Sequence, residues 1–186
     1  MYHSHVDEHR DPNTGLVGPM IITARGQAKP DGTPQGVDRE FVVMFVQDHE
    51  EDSWHAEENL PANMATEPAL LVLMTPFSAT ATFHFVTFSL NGYEHGTMPL
   101  RALTMHKGEH VRWYVFAGTN DFDAHSPHWH GNTVVINQMR TDVTSLAPMQ
   151  MVTADMVPDD VGIWLFHCHI SFHSAGGMVG RYAVTP

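Results

Sequence analysis

The chain has 186 residues, 42% of them hydrophobic and 16% charged, enough for one full domain with a proper core and part of another. Its formal net charge of −12 argues against nucleic acid or an anionic membrane as partner. Fifteen histidines gather in pairs and triplets, and a single cysteine leaves no intrachain disulfide, so the composition points toward metal ligation. No run reaches the about 18 apolar residues of a membrane-spanning helix, and no secretory signal is visible.

The opening stretch, YHSHVDEHRDPNTGLVGP, recurs in altered form near the end of the chain as FHCHISFHSAGGMVGRYAVTP. His3-Ser4-His5-Val6 aligns with His167-Cys168-His169-Ile170, and His9 follows Ser4 at the offset by which His173 follows Cys168. Gly15-Leu16-Val17-Gly18 aligns with Gly177-Met178-Val179-Gly180, with two extra residues in the connecting loop. This is an internal repeat. Its first copy carries Ser for Cys and Leu for Met, so it keeps the paired histidines without a thiolate. The second copy closes a domain, so residues 1–25 are expected to be the closing strand and loop of an earlier domain. A piece of that size cannot bury a core alone, which places the body of that domain on another chain or in a removed portion. Residues 26–39, rich in Gly, Pro and polar side chains, read as an exposed linker or, equally, an ordered surface loop. Residues 40–186 read as one complete domain.

From Glu40 onward the pattern is short apolar runs rich in β-branched and aromatic residues. Strands are expected at 41–48, 69–75, 81–90, 110–118, 133–138, 149–156, 162–169 and 179–185. Asn91-Gly92, Pro99, Lys107-Gly108 and Pro158-Asp159-Asp160 supply turns between them. Many short strands with such punctuation imply an all-β sandwich of two antiparallel sheets. His49 and His55, within HEEDSWHAEE, read as part of a solvated acidic face, with transient copper or substrate contact as the alternative. Asp52 to Thr66 contains helix formers interrupted by Pro61. His84, His95, His106 and His110 read as packed, loop or turn residues. Most of the methionines, among them Met44, Met74 and Met151, read as core.

Two clusters carry chemistry. In WLFHCHISFHSAGGM, Cys168 is followed by His173 and Met178, which together offer the thiolate, an imidazole and the weak thioether of a blue copper site, trigonal His₂Cys with a long axial Met. In a strand, Cys168 points to one face and its neighbours His167 and His169 to the other. A second metal centre on that face would be joined to the thiolate by a few covalent bonds. The other cluster, His125-Ser126-Pro127-His128-Trp129-His130-Gly131, is expected to turn near its proline. His125 then completes the cysteine site, while His128 and His130 share a face toward a second centre. Zinc, with four closed ligands or three and a water, leaves Met178 and the paired histidines unexplained.

On HSPHWHG, HCHISFHSAGGM and YHSH followed by GLVGP, the chain resembles the multicopper oxidases of laccase- and ceruloplasmin-like kind, most of all the two-domain small-laccase type. The resemblance implies a cupredoxin-like Greek-key sandwich. It also implies one-electron oxidation of phenolic, aromatic or metal-ion donors, coupled to reduction of O₂ to water. Carried over by motif, His125, Cys168, His173 and Met178 would bind type 1 copper and His128 type 2 copper. His3, His5, His130, His167 and His169 would bind the type 3 pair, with Cys168, His167 and His169 carrying electrons between centres. A complete unit would hold four copper ions. The family pattern has eight cluster histidines and six are matched here; an upstream HxHG motif is missing. The resemblance further implies a homotrimer with clusters between subunits, O₂ and a small reductant as partners, and a secreted or periplasmic location. Asp7 is a candidate proton donor, and Asp121 and Asp123 candidates for lining the substrate approach. The alternative reading is an electron-transfer or copper-binding module with a type 1 site alone. Nitrite reduction fits less well, because copper nitrite reductases do not keep histidines on both sides of the cysteine.

Overall fold

The computed structural model describes residues 1–59, 86–118 and 124–186. Strands β1 (Tyr2–His3) and β2 (Val17–Gly18) form a small antiparallel pair, with helix α1 (Arg10–Asn13) between them. Nine further strands follow in chain order: β3 (Arg39–His49), β4 (Val86–Leu90), β5 (Thr104–His106), β6 (Val111–Ala117), β7 (Pro127–Trp129), β8 (Val134–Ile136), β9 (Met139–Thr141), β10 (Met151–Met156) and β11 (Gly162–Cys168). Helix α2 (Ser171–Ala175) and strand β12 (Val179–Thr185) close the chain. One sheet has the order β4-β3-β6-β10-β8-β9 and the other β5-β12-β11-β7. Most pairs are antiparallel, but β3 runs parallel to β6 and β5 parallel to β12. The result is the expected all-β, cupredoxin-like sandwich.

The inner faces of the two sheets meet in one aromatic core. Trp113 of β6 lies 5.2 Å from Phe166 of β11, 5.7 Å from Tyr182 of β12 and 6.0 Å from Trp129 of β7, ring centre to ring centre. Phe45 of β3 meets Phe166 edge-on at 5.5 Å. Full burial of such side chains contributes roughly 1.5–3 kcal/mol each, and the tilted and edge-on arrangements suit the ring quadrupoles. On the outer side, Arg112 of β6 makes a bidentate pair with Asp155 of β10 at 2.7 and 3.0 Å. Arg39 does the same with Glu109 at 2.9 and 3.0 Å, fixing the start of β3 beside the turn into β6.

Several expectations need correction. The strand expected from 149 begins at Met151, because Met149 has φ +60° and Gln150 N–H closes a turn onto Ala147. Asn137 and Gln138 also have positive φ and form the turn between β8 and β9, so the run from 133 stops at Ile136. Within residues 26–39, Ala28 bridges Pro34, Lys29 N–H reaches Thr33 O at 2.8 Å, and Val37 is fully buried. The strand expected at 69–75, the first half of 81–90, residues 60–66 of the stretch 52–66, and His84, Met74, Asp121 and Asp123 lie outside the described residues.

Candidate metal centre

Strand β11 separates two groups of ligand-type side chains. On its inner face Cys168 joins His125 and His173, with one donor atom from each within 4.8 Å of the others; all three residues are buried. Cys168 Sγ lies 3.5 Å from His173 Nδ1. His125 enters from the stretch before β7, where it bridges Leu146. His173 enters from α2 and stacks on Phe88 of β4 at 4.8 Å. Met178 is fully buried; its N–H donates to His173 O at 2.9 Å, and its carbonyl accepts from Cys168 N–H at 3.1 Å. Ser126 N–H points at Cys168 Sγ from 3.3 Å, a contact that orients a ligating sulfur.

The turn expected at Pro127 is absent. The chain stays extended from the His125 bridge into β7 and on to the bridge of His128 with Val143. An odd offset along extended backbone is enough to send His125 and His128 to opposite faces. His128, His130 and His167 form the second group, with donor atoms again within 4.8 Å of one another. His130 Nε2 and His167 Nε2 lie 3.0 Å apart. His169 is exposed beside them, its ring stacked 5.8 Å from that of His167 and tilted 5.1 Å from that of His128. Burial, helped by the neighbouring imidazoles His128, His130 and His169 and opposed by the backbone contact to Cys168, leaves His167 below the ordinary histidine pKa. Burial and then the charge of His130 lower His128 likewise, against the opposing carboxylate of Asp142 at 3.7 Å. Both favour the neutral imidazole that metals bind. An open hollow of about 440 Å³ adjoins the group, bordered by His128, His130, Asn132, Asp142 and Asp159.

His3 and His5 are not part of this second group. Their rings lie 4.3 Å apart, His5 hydrogen-bonds Glu8, and among the described residues no ring contact or shared donor group joins them to His128, His130, His167 or His169. Asp7 caps the start of α1, where its Oδ1 accepts from Arg10 N–H at 2.9 Å.

The repeat is visible in three dimensions. Tyr2 and His3 pair with Gly18 and Val17 as Phe166 and His167 pair with Gly180 and Val179. Ser4 N–H reaches Leu16 O at 3.1 Å, as Cys168 N–H reaches Met178 O. His3 Nδ1 lies 3.1 Å from Ser4 O and His167 Nδ1 2.8 Å from Cys168 O, so both imidazoles leave Nε2 for a ligand. Where the second copy holds Cys168, the first has Ser4 bonded to Asp11, which also accepts Trp54 Nε1–H at 2.8 Å.

The residues fit copper. The inner group offers sulfur, two imidazoles and a buried thioether residue, and the outer group offers imidazoles alone. His128 Nδ1 is buried with no hydrogen-bond partner among the described residues, a cost that ligation would offset. Sequence reasoning missed Ser126, Asn132 and Phe172, whose side chains are not copper ligands, and Asp142, a lone carboxylate with no ligand-spaced neighbour to mark it. It also read the His49 segment as solvated, whereas His49, Glu51 and Asp52 form a third, partly buried donor group at the end of β3.

A sequence profile described as "Multicopper oxidase" matches residues 63–186. Hephaestin of Rattus norvegicus is 37% identical over 187 residues, covering 99% of this chain and 16% of that protein. The protein named ferroxidase HEPHL1 of Homo sapiens is 35% identical over 185 residues, covering 99% of this chain and 15% of that one. The chain thus spans about a sixth of the length of these relatives. The solved blue copper oxidase of Nitrosomonas europaea shares the fold, with a TM-score of 0.70 at 16% identity, over 98% of this chain and 54% of that one. With its profile match, its relatives and its two histidine groups either side of one cysteine strand, the chain belongs to the multicopper oxidase family.

Proposed function

We propose that the chain provides the donor-side copper centre and part of the oxygen-reducing cluster of a multicopper oxidase. The observation that carries this is the placement of two ligand groups on opposite faces of β11, both reached from Cys168 and its immediate neighbours. His125, Cys168, His173 and Met178 would hold type 1 copper, His128 type 2 copper, and His130, His167, His169, His3 and His5 the type 3 pair. Bound copper would supply the one-electron redox chemistry and the four-electron reduction of O₂ to two waters. The protein's own part is geometric. Burial of His125, Cys168 and His173 keeps water from the inner group, and the Ser126 N–H fixes the sulfur. The backbone from Cys168 to His167 and His169 is a short bonded path between groups. His167 Nδ1 against Cys168 O fixes the ring that ends this path.

His3 and His5 share no donor group with His128, His130 and His167 among the described residues, so in this reading the cluster would be completed between units, as in a homotrimer. A module with a type 1 site alone is not favoured, because three imidazoles converge on the other face. Family membership also supports an extracytoplasmic place of action. Among the described residues no helix is long and apolar enough to cross a membrane.

The donor we favour is ferrous iron, supported by the relative named a ferroxidase and by the acidic balance of the chain. A phenolic donor is the second reading, carried by Phe172, which is 51% exposed with its ring 4.2 Å from that of His173. Oxygen uptake by copper-loaded protein with Fe(II) and with a simple phenol separates them. Iron-dependent uptake with one O₂ consumed for every four Fe(II) is expected; uptake with the phenol alone selects the second reading, and none with either rejects both.

A further inference from the structure

We propose that Tyr182 and Asn132 are positioning residues for the second histidine group, holding the His130 carbonyl so that His130 faces His167. The proposal rests on the reading of that group as a copper cluster and names what sets its shape.

His130 lies just beyond the end of β7, where strand pairing stops, so something else must fix it. Its N–H donates to Leu165 O of β11 at 3.0 Å. Its carbonyl accepts two donors: Asn132 N–H at 2.9 Å, closing a tight turn over Gly131, and the hydroxyl of Tyr182 from β12. Tyr182 is fully buried, and burial pushes its pKa up to about 12, so the phenol stays an O–H donor. Asn132 is 4% exposed and its side chain spends both ends on the same junction. Its Nδ2 donates to Tyr182 Oη at 3.2 Å, and its Oδ1 accepts Asp159 N–H at 3.1 Å and Asp160 N–H at 3.2 Å. Asp160 O in turn accepts Trp164 Nε1–H at 3.1 Å. Trp164 lies against Gly131 so closely that an added Cβ would meet its ring at 2.2 Å.

The network therefore ties three segments together: the end of the HSPHWHG stretch, the turn before β11, and the middle of β12. It reaches His130 through the backbone, and none of its side chains belongs to either ligand group. Buried polar networks of this kind specify one arrangement when every member is satisfied. Loss of the Tyr182 hydroxyl leaves a buried carbonyl with one donor fewer and frees the turn at Gly131. The inner group, anchored by Ser126, Ile170 and Leu146, does not share these bonds.

The test compares Tyr182→Phe and Asn132→Ala with wild type. Tyr114→Phe, which removes a tyrosine hydroxyl bond to Glu40 on another strand, is the control. Amide hydrogen exchange over 128–134 is measured in metal-free protein, and loss of copper to a chelator is followed in loaded protein beside the blue absorption of the inner site. The expected result is exchange and non-blue copper loss each about tenfold faster in both variants, with the blue band and the control unchanged. Blue and non-blue copper lost in parallel, with faster exchange throughout the sandwich, would show a merely structural role and overturn the proposal. Rates equal to wild type would also overturn it. Wild-type protein that takes up no non-blue copper would overturn the underlying reading and this proposal with it. That failure appears in the wild-type count, not as a difference between proteins.

Discussion

Cys168 is where the two ligand groups meet. Its sulfur faces His125 and His173, and its peptide bonds lead to His167 and His169. Cys168→Ser keeps the size and the hydrogen bond from Ser126 but removes the soft, charge-donating ligand. The expected outcome is loss of the blue absorption and of donor oxidation, with non-blue copper retained; a blue band in the variant would contradict the assignment. Such residues are legible in a sequence because few side chains ligate copper and their spacing must suit one short strand. Tyr182 and Asn132 are not legible. They are common residue types separated by 50 positions, and their bond exists only once β12 lies beside β11.

At the scale of elements, β11 does two things through simple alternation: Phe166 and Cys168 enter the core while His167 faces the second group. That alternation could be read directly, as could β12, whose expected bounds agree with its observed ones. The three-residue strands β5, β7 and β9 could not, since so short a run shows no period. The turn assigned to Pro127 failed for a related reason: proline also opens a short strand, where its missing N–H costs nothing if no partner needs it. Gly131 is the element-scale test of this junction. It has φ +73° and lies against Trp164, so Gly131→Ala meets both backbone strain and overlap. A loss of about 2–4 kcal/mol is expected in urea unfolding; a change under about 0.5 kcal/mol, the size of an ordinary surface substitution, would contradict the packing described.

Over the whole molecule, protonation couples the second group to stability. His128 and His167 have folded-state pKa values below the ordinary 6.5. Between those values and 6.5 the unfolded chain binds more protons, so their contribution is complete above 6.5 and is lost as pH falls below it. Asp48 works oppositely: burial, then Glu50 and Glu94, push it up to about 7, so its contribution is present at low pH and lost as pH rises through about 7. The two act oppositely between pH 6.5 and 5, so the comparison between proteins is the readout: on acidification over that window metal-free His128→Gln is expected to lose less thermal stability, or gain more, than metal-free wild type, giving a different slope. An unchanged slope in the variant would contradict the linkage. The central claim, that one strand holds two different copper centres apart, is tested most directly by counting copper per chain in reconstituted protein while recording its visible spectrum. More than one copper per chain, with a blue band belonging to only part of it, is the predicted result. A single blue copper, or no copper at all, would contradict the claim.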